Sequence, residues 1–297
     1  MIINRSNLAN LGVAFNASFQ EGLGQAESQY ARVATTVNST TSKEEYGWIG
    51  KIPKVREWIG ERVIQNISQS DYSIKNKDYE LTIGVDRNHI RDDNLGIYAP
   101  LFEEMGRSAA AFPDTMVFAA LKAGFTTPCY DGQFYFDTDH PVLDETGTPQ
   151  SVANTDGGGG EPWFLIDGSR ALKPILWQRR QDFEFVAKDK PDDDNVFSKK
   201  EFQYGVDGRF NVGYGFWQFC WGSKQTLDDP HYTTGRAALT GMKGDYGRPL
   251  GIGGNLLVTG PNNEKAGRNL LKSILINGGE SNPWAGSAEL LVVPWLA

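Results

Sequence analysis

The strongest periodic signal in the chain lies between residues 92 and 124. Tyr98, Leu101, Phe102, Met105 and Ala109 recur at steps of three and four, and Asp114 restarts the pattern through Val117 and Leu121. Gly124 follows as a stop. That spacing predicts one long amphipathic helix, capped by Asp92 and Asp93 and kinked at Pro113, with a proline tolerated in the first turn of the second piece. Just before it, Tyr79, Leu81, Ile83 and Val85 alternate with polar residues, the pattern of a strand with one buried face. A long helix set among strands implies an α+β architecture with mixed sheets rather than a bundle or a barrel.

The flanks are less regular. Leu8, Leu11, Phe15 and Phe19 form one apolar helix face, with Asn4 or Ser6 as the N-cap. The opposite face is nearly uncharged, so this arm is marginal alone and needs something to lie against. After the Thr/Ser-rich stretch ATTVNSTTSKEE, the tripeptide Trp-Ile-Gly occurs at 48–50 and again at 58–60, with Pro53 between. Glycine and proline within apolar, β-prone sequence predict an extended ribbon too thin to hold its own core. Residues 162–186 and 202–221 are aromatic and β-rich, separated by the acidic loop KDKPDDDN. The tail NLLVTGPNNEKAGRNLLKS reads as a strand turning into a helix, and AELLVVPWLA as a short closing strand.

Composition excludes several function classes. Over 297 residues the net charge is −8, and no Lys/Arg cluster would track a phosphate backbone, which argues against tight nucleic-acid binding. No apolar run approaches the roughly 20 residues that span a bilayer. Asn7, Asn10 and Asn16 interrupt what would be a signal-peptide core. Two cysteines, Cys129 and Cys220, far apart in sequence, make a disulfide framework improbable and fit a reducing compartment.

The segment CYDGQFYFDTDHP at 129–141 is the one place where chemistry-bearing residues crowd together. Asp137, Asp139 and His140 would suit a divalent metal, and the DxD pattern would suit metal-dependent glycosyl or phosphoryl transfer. The spacing fits no EF-hand, no HExxH occurs, and no second histidine stands nearby. Asp131-Gly132 is itself a turn signal, and aspartates beside proline cap turns through the backbone. The structural reading is preferred. GIGGNL lacks the third glycine of a dinucleotide fingerprint, and GGGG is not followed by Lys-Ser/Thr.

Six phrases carry a resemblance: MIINRSNL, EEYGWIGKIPKVREWIG, LGIYAPLFEEMGRSAA, CYDGQFYFDTDHPV, MKGDYGRPLGIGGNLLVTGP and NPWAGSAELLVVP. By them the chain resembles the major head subunits, or major capsid proteins, of Mu-like bacteriophages and prophages, which have the Hong Kong 97-type capsid fold. A departure at GGNLLVTGPNNE, where the family leads with Pro-Thr and carries a second proline, is a loop difference. The resemblance implies an N-terminal arm at 1–45, an extended loop or β ribbon at 46–78 and a peripheral domain at 79–145 with a spine helix at 93–124. Residues 146–297 would form the axial domain and strands returning to the peripheral domain.

It also implies a shell protein that catalyses nothing and needs no cofactor or metal. Its partners would be copies of itself, as hexamers and pentamers, closing an icosahedral shell around double-stranded DNA without binding it specifically. Scaffold and maturation protease would be separate proteins, with a portal and a decoration protein as further partners. The protein would sit in the virion, with no membrane, after assembly in the bacterial host cytoplasm. Arm residues Leu8, Leu11, Phe15 and Phe19 and ribbon residues Trp48, Ile49, Trp58 and Ile59 would then be intersubunit contacts. The competing readings are a metal-dependent transferase centred on Asp137, Asp139 and His140, and a non-viral compartment shell of the same fold.

Overall fold

The computed structural model describes residues 2–47, 49, 72–92, 95–276 and 279–297. The chain opens with helix α1 (Arg5–Gln25), whose N-cap Asn4 accepts from the Asn7 amide at 2.8 Å. Strands β1 (Ala34–Asn38), β2 (Lys43–Glu45), β3 (Ser73–Lys75) and β4 (Lys77–Asp86) follow, then the short helix α2 (Arg87–Arg91) and the long helix α3 (Tyr98–Ala123). Next come β5 (His140–Leu143), β6 (Pro149–Val152), β7 (Thr155–Gly158), β8 (Trp163–Ile166) and β9 (Ile175–Lys188). Helix α4 (Asp194–Lys199) links β9 to β10 (Glu201–Tyr214). The remainder is β11 (Cys220–Lys224), α5 (Asp229–Thr240), β12 (Lys243–Gly244), β13 (Arg248–Pro249), β14 (Leu256–Thr259), α6 (Glu264–Lys272) and β15 (Glu289–Val292).

Two mixed sheets organise these elements. One has the order β1-β9-β10-β4, with β1 parallel to β9 and the other pairs antiparallel. The other has the order β15-β14-β8-β11-β7, with parallel pairs at its two edges. The largest core joins them, from Ile175, Trp177 and Phe210 of the first to Trp163, Phe164, Leu257 and Val258 of the second. A separate cluster lies between the first sheet and the helix pair α1/α3. Strand β8 is buried at every position, as a central strand covered on both faces must be.

The long helix differs from expectation at its start. It begins at Tyr98, six residues after Asp92, and Ile97 at its N-cap makes no side-chain cap. Asp92 instead closes α2, its amide donating to the Asn88 carbonyl at 2.8 Å. Asp86 had already capped α2 by accepting from the Asn88 amide, so the helical start signal was spent before Asp92 was reached. Leu101 is 48% exposed, because Phe102 one residue on takes the inward position. Leu81, on edge strand β4, is also exposed, whereas Val85 on the same face is buried. The helix α5 was not visible in the sequence reading. Its core-facing residues are only Tyr232, Gly235 and Leu239, although Asp228 as N-cap and Pro230 in its first turn are a start signal.

The arm is where the structure corrects the sequence most. Leu8, Phe15 and Phe19 are buried within this chain, and Leu11 packs half-buried beside them. Phe15 stacks on Phe102 at 4.3 Å between ring centroids and meets Tyr204 edge-on at 5.1 Å. The arm therefore has a partner surface in its own fold. The cause is a close crossing of α1 and α3. A Cβ on Gly22 would lie 1.8 Å from the Glu103 carbonyl oxygen, and one on Gly106 would lie 2.1 Å from that of Phe19. Only glycine allows two backbones that near.

Beyond α1, the chain is tied to α3 again. Buried Asp114 accepts from the Ser28 hydroxyl and from the amides of Gln29 and Tyr30, at 3.1, 2.9 and 2.5 Å. Burial pushes the Asp114 carboxyl above its ordinary value despite these bonds.

Candidate functional site

Buried polar side chains gather in two places, the Asp/His segment and the β2/β3 pair. In the first, Gly132 adopts φ +88°, and its amide donates to the Cys129 carbonyl at 3.2 Å, closing a tight turn. This turn brings Asp131 back onto His140. One Asp131 oxygen meets His140 Nδ1 at 2.7 Å, and the other accepts from Cys129 Sγ and the Gln133 amide, both at 3.1 Å. The imidazole is fully buried and stacks on Trp217 at 4.0 Å.

The partners expected for His140 do other work. Asp137 accepts from the amides of Phe134 and Thr138, and Asp139 accepts from the Ser151 hydroxyl at the surface. The three residues of the transferase reading therefore do not converge. Strand alternation explains part of this: His140 and Val142 point inward, and Pro141 between them is exposed. Asn154, which the sequence reading passed over, is fully buried and ties the turn down. Its Nδ2 donates to the Tyr135 carbonyl at 2.8 Å and its Oδ1 accepts from the Asp137 amide at 2.9 Å.

Cys129, Asp131 and His140 offer donor atoms within 4.8 Å of one another, the one such group among the described residues. The donor types would suit a divalent metal, but their present bonds do not. Burial pushes the Cys129 thiol far above its ordinary pKa, aided by the Asp131 carboxylate, so it stays a protonated donor rather than a thiolate. Burial works against the charge on Asp131. The hydrogen bonds from His140 and Cys129 outweigh it and hold the carboxyl below its ordinary value. His140 Nε2 is buried without a partner, whereas a metal-bound imidazole normally passes its other nitrogen to an acceptor. The group is a closed hydrogen-bond chain that fixes a turn. Chelation should accordingly leave the folded protein and its assemblies unchanged, and native Cys129 and Cys220 should resist a maleimide until unfolding. A stoichiometric divalent ion retained by the unmodified protein and lost in His140→Ala would overturn this.

The second gathers around strands β2 and β3. β2 and β3 pair antiparallel, and Tyr46, Ile49, Ile74 and Leu176 form a small buried cluster beneath them. Ile49, expected at a subunit contact, is thus 4% exposed within its own chain. Trp48, Trp58 and Ile59 lie outside the described residues. At the centre is Gln178, fully buried on β9. Its Oε1 accepts from the Tyr46 hydroxyl at 2.6 Å, and its Nε2 donates to the Ile74 carbonyl at 3.1 Å and to Asn76 Oδ1 at 2.7 Å. Asn76 in turn donates to the Ser39 hydroxyl and the Thr41 carbonyl. One glutamine side chain therefore ties Tyr46 to Ile74 and Asn76, and a satisfied network of this kind holds one geometry. Nothing in local sequence marked Gln178, because its partners lie more than 100 residues away.

The family described as Mu-like prophage major head subunit gpT matches residues 8–296. The major capsid protein of Escherichia phage Mu is 42% identical over 305 residues, covering 100% of both chains. Among solved structures, the procapsid of bacteriophage JBD30 has a TM-score of 0.87 at 43% identity, over 99% of this chain and 100% of that one. The JBD30 capsid decorated with minor capsid protein trimers has a TM-score of 0.78 at 34% identity over 94% of each. The sequence match to the Mu protein covers 100% of this chain and the structural match to the JBD30 procapsid 99%. The chain belongs to the Mu-like major head subunits, the capsid proteins of tailed phages.

Proposed function

We propose that this capsid subunit assembles as hexamers and pentamers into an icosahedral shell around double-stranded DNA, and that it catalyses no reaction. The observation that carries this reading is that both sheets and the long helix take part in the likeness to a procapsid subunit. Asp137, Asp139 and His140, the centre of the competing transferase, are each committed to local hydrogen bonds. With a net charge of −8 per copy, a lattice of such subunits repels packaged DNA on average and binds it nowhere tightly. Electron microscopy of the purified chain tests the proposal. Closed shells or capsomer rings support it, and a monodisperse monomer with transferase activity would sink it. Shells that protect DNA from nuclease, rather than an enzyme cargo, separate a phage head from a non-viral compartment.

In this reading residues 79–145, with α3 as spine, form the peripheral domain, and the sheet around β8 and β14 forms the axial domain. The long strands β9 and β10 return from residues 146–297 to the peripheral sheet. Scaffold, maturation protease and portal are separate proteins, a decoration protein of the minor-capsid kind sits outside, and assembly takes place in the host cytoplasm.

The ribbon residues Trp48, Trp58 and Ile59 are proposed to bury on a neighbouring copy. Each large apolar side chain so buried contributes roughly 1.5–3 kcal/mol to association. Trp58→Ala should therefore leave thermal unfolding of the unassembled subunit within about 0.5 kcal/mol of normal while sharply lowering shell yield. Loss of several kcal/mol from the isolated subunit would place Trp58 in the subunit's own core instead.

A further inference from the structure

The first sheet packs one face on α1 and α3 through Val85, Phe202, Tyr204 and Val206. Strand alternation turns the residues between them to the opposite face, where Glu80, Glu184 and Asp207 are exposed. These three acids stand in one row. Asp207 of β10 lies directly opposite Glu80 of β4 on one side and opposite Glu184 of β9 on the other. Like charges directly opposed across strands destabilise a sheet. Among the described residues no cation relieves the row. Arg209, the next residue of that face along β10, is taken by Asp78 at 2.7 Å, and Lys188 stands roughly 13 Å from Glu184 at the strand rise. The Thr82 hydroxyl donates to Glu80 at 2.8 Å and brings no charge.

Beside the row a hollow of about 190 Å³ opens over Gly205, with Val186 54% exposed in its wall. An apolar hollow next to carboxylates suits a lysine or arginine, which buries its aliphatic stem and keeps its charged head at the acids. The sequence holds one complement to such a surface. Lys51, Lys54 and Arg56 are three cations within six residues, with no acid before Glu57, and no other six-residue stretch of the chain has three.

We propose that the Glu80–Asp207–Glu184 row of one copy receives residues 51–56 of a neighbouring copy, whose cations neutralise it. The segment cannot serve its own subunit. Ile49, two residues before Lys51, is buried beside Leu176, which pairs with Gly213 of β10. Asp207 lies roughly 20 Å from Gly213 along that strand, whereas two residues of chain add at most roughly 7 Å before the lysine side chain begins. Lys51 therefore meets a row of this kind only on another copy. A surface and its complement on different parts of one chain make a heterologous contact, which closes into a ring when the rotation allows. This inference rests on the capsid reading and on the proposed burial of Trp48, Trp58 and Ile59 against a neighbour, and it names the surface which that segment meets.

The test mixes full-length Asp207→Cys and Lys54→Cys subunits, assembles them together and treats the particles with a short bismaleimide. The native cysteines, 6% and 0% exposed, stay out of the reaction. The expected result is a linked dimer on a denaturing gel, formed by the mixture and by neither variant alone. Charge reversal gives an independent reading. Asp207→Lys and Lys54→Glu should each lower particle yield about tenfold or more, and the two combined in one chain should restore it. Asp207→Lys also relieves the row within the subunit, so its unfolding midpoint should stay level or rise, which separates lost assembly from lost folding. Particles that form from the mixture without a linked dimer, or a double reversal that restores nothing, overturn the contact and leave the capsid reading standing. An unmodified chain that gives neither particles nor rings overturns both.

Discussion

Gly106→Val should lower the stability of the subunit by at least about 3 kcal/mol, more than most single substitutions can. The argument is steric. A Cβ at Gly106 would meet the Phe19 carbonyl oxygen at 2.1 Å and the Leu23 amide nitrogen at 2.6 Å, and both are backbone atoms. No rotamer change relieves a backbone clash, so α1 and α3 must move apart. Separation opens the cluster in which Phe15, Phe19, Phe102 and Met105 are packed, and each of those side chains loses part of a burial worth roughly 1.5–3 kcal/mol. Gly22→Ala should behave alike, because its Cβ would lie 1.8 Å from the Glu103 carbonyl oxygen. Gly24→Ala is the control: nothing lies within 4 Å of a Cβ there, and alanine is the better helix former by about 1 kcal/mol. Denaturant unfolding of the three variants reads the contrast directly. Equal midpoints for Gly106→Val and Gly24→Ala would mean that the arm is not docked on the long helix in the subunit in solution.

The same crossing shows how far the sequence could be read. Leu8, Phe15 and Phe19 announced a helix with one apolar face, and residue type narrowed its N-cap to Asn4 or Ser6, of which Asn4 caps it. What covers that face was not, because the contacts between α1 and α3 join residues about 80 apart and depend on two glycines that carry no apolar signal. An unpartnered apolar stripe therefore looked like a site for a neighbouring subunit. The long helix and the strand–helix tail were legible because their periodicity runs over whole elements. Helix α5 was not, since Thr233, Thr234, Ala237 and Ala238 dilute its apolar face. At the Asp/His segment the residue types pointed to the right place but the wrong partners. Counting along the chain favours Asp137 and Asp139 as neighbours of His140, whereas the turn at Gly132 folds the more distant Asp131 onto it.

That difference in partners sets the second large effect. Asp131→Ala should cost about 3–5 kcal/mol, whereas Asp139→Ala should cost no more than about 1 kcal/mol. Removing the Asp131 carboxylate strands three donors at once: buried His140 Nδ1, the Cys129 thiol and the Gln133 amide. It does so beneath Trp217, where water cannot readily replace the lost oxygens. Asp139 loses only a bond to the Ser151 hydroxyl at an exposed position, where solvent substitutes. Thermal unfolding separates the two readily, because for a chain of this size each kcal/mol moves the midpoint by about 2–4 °C. The effect should also depend on pH in a defined sense. Asp131 has its folded-state pKa held below the unfolded value of about 3.9, so its contribution is present above that pH and fades as pH falls through the folded value. The gap between the unmodified protein and Asp131→Asn should therefore be widest near neutrality and narrow in acid. A gap that widens on acidification, or an Asp139→Ala variant as unstable as Asp131→Ala, would show that His140 is held by something other than Asp131.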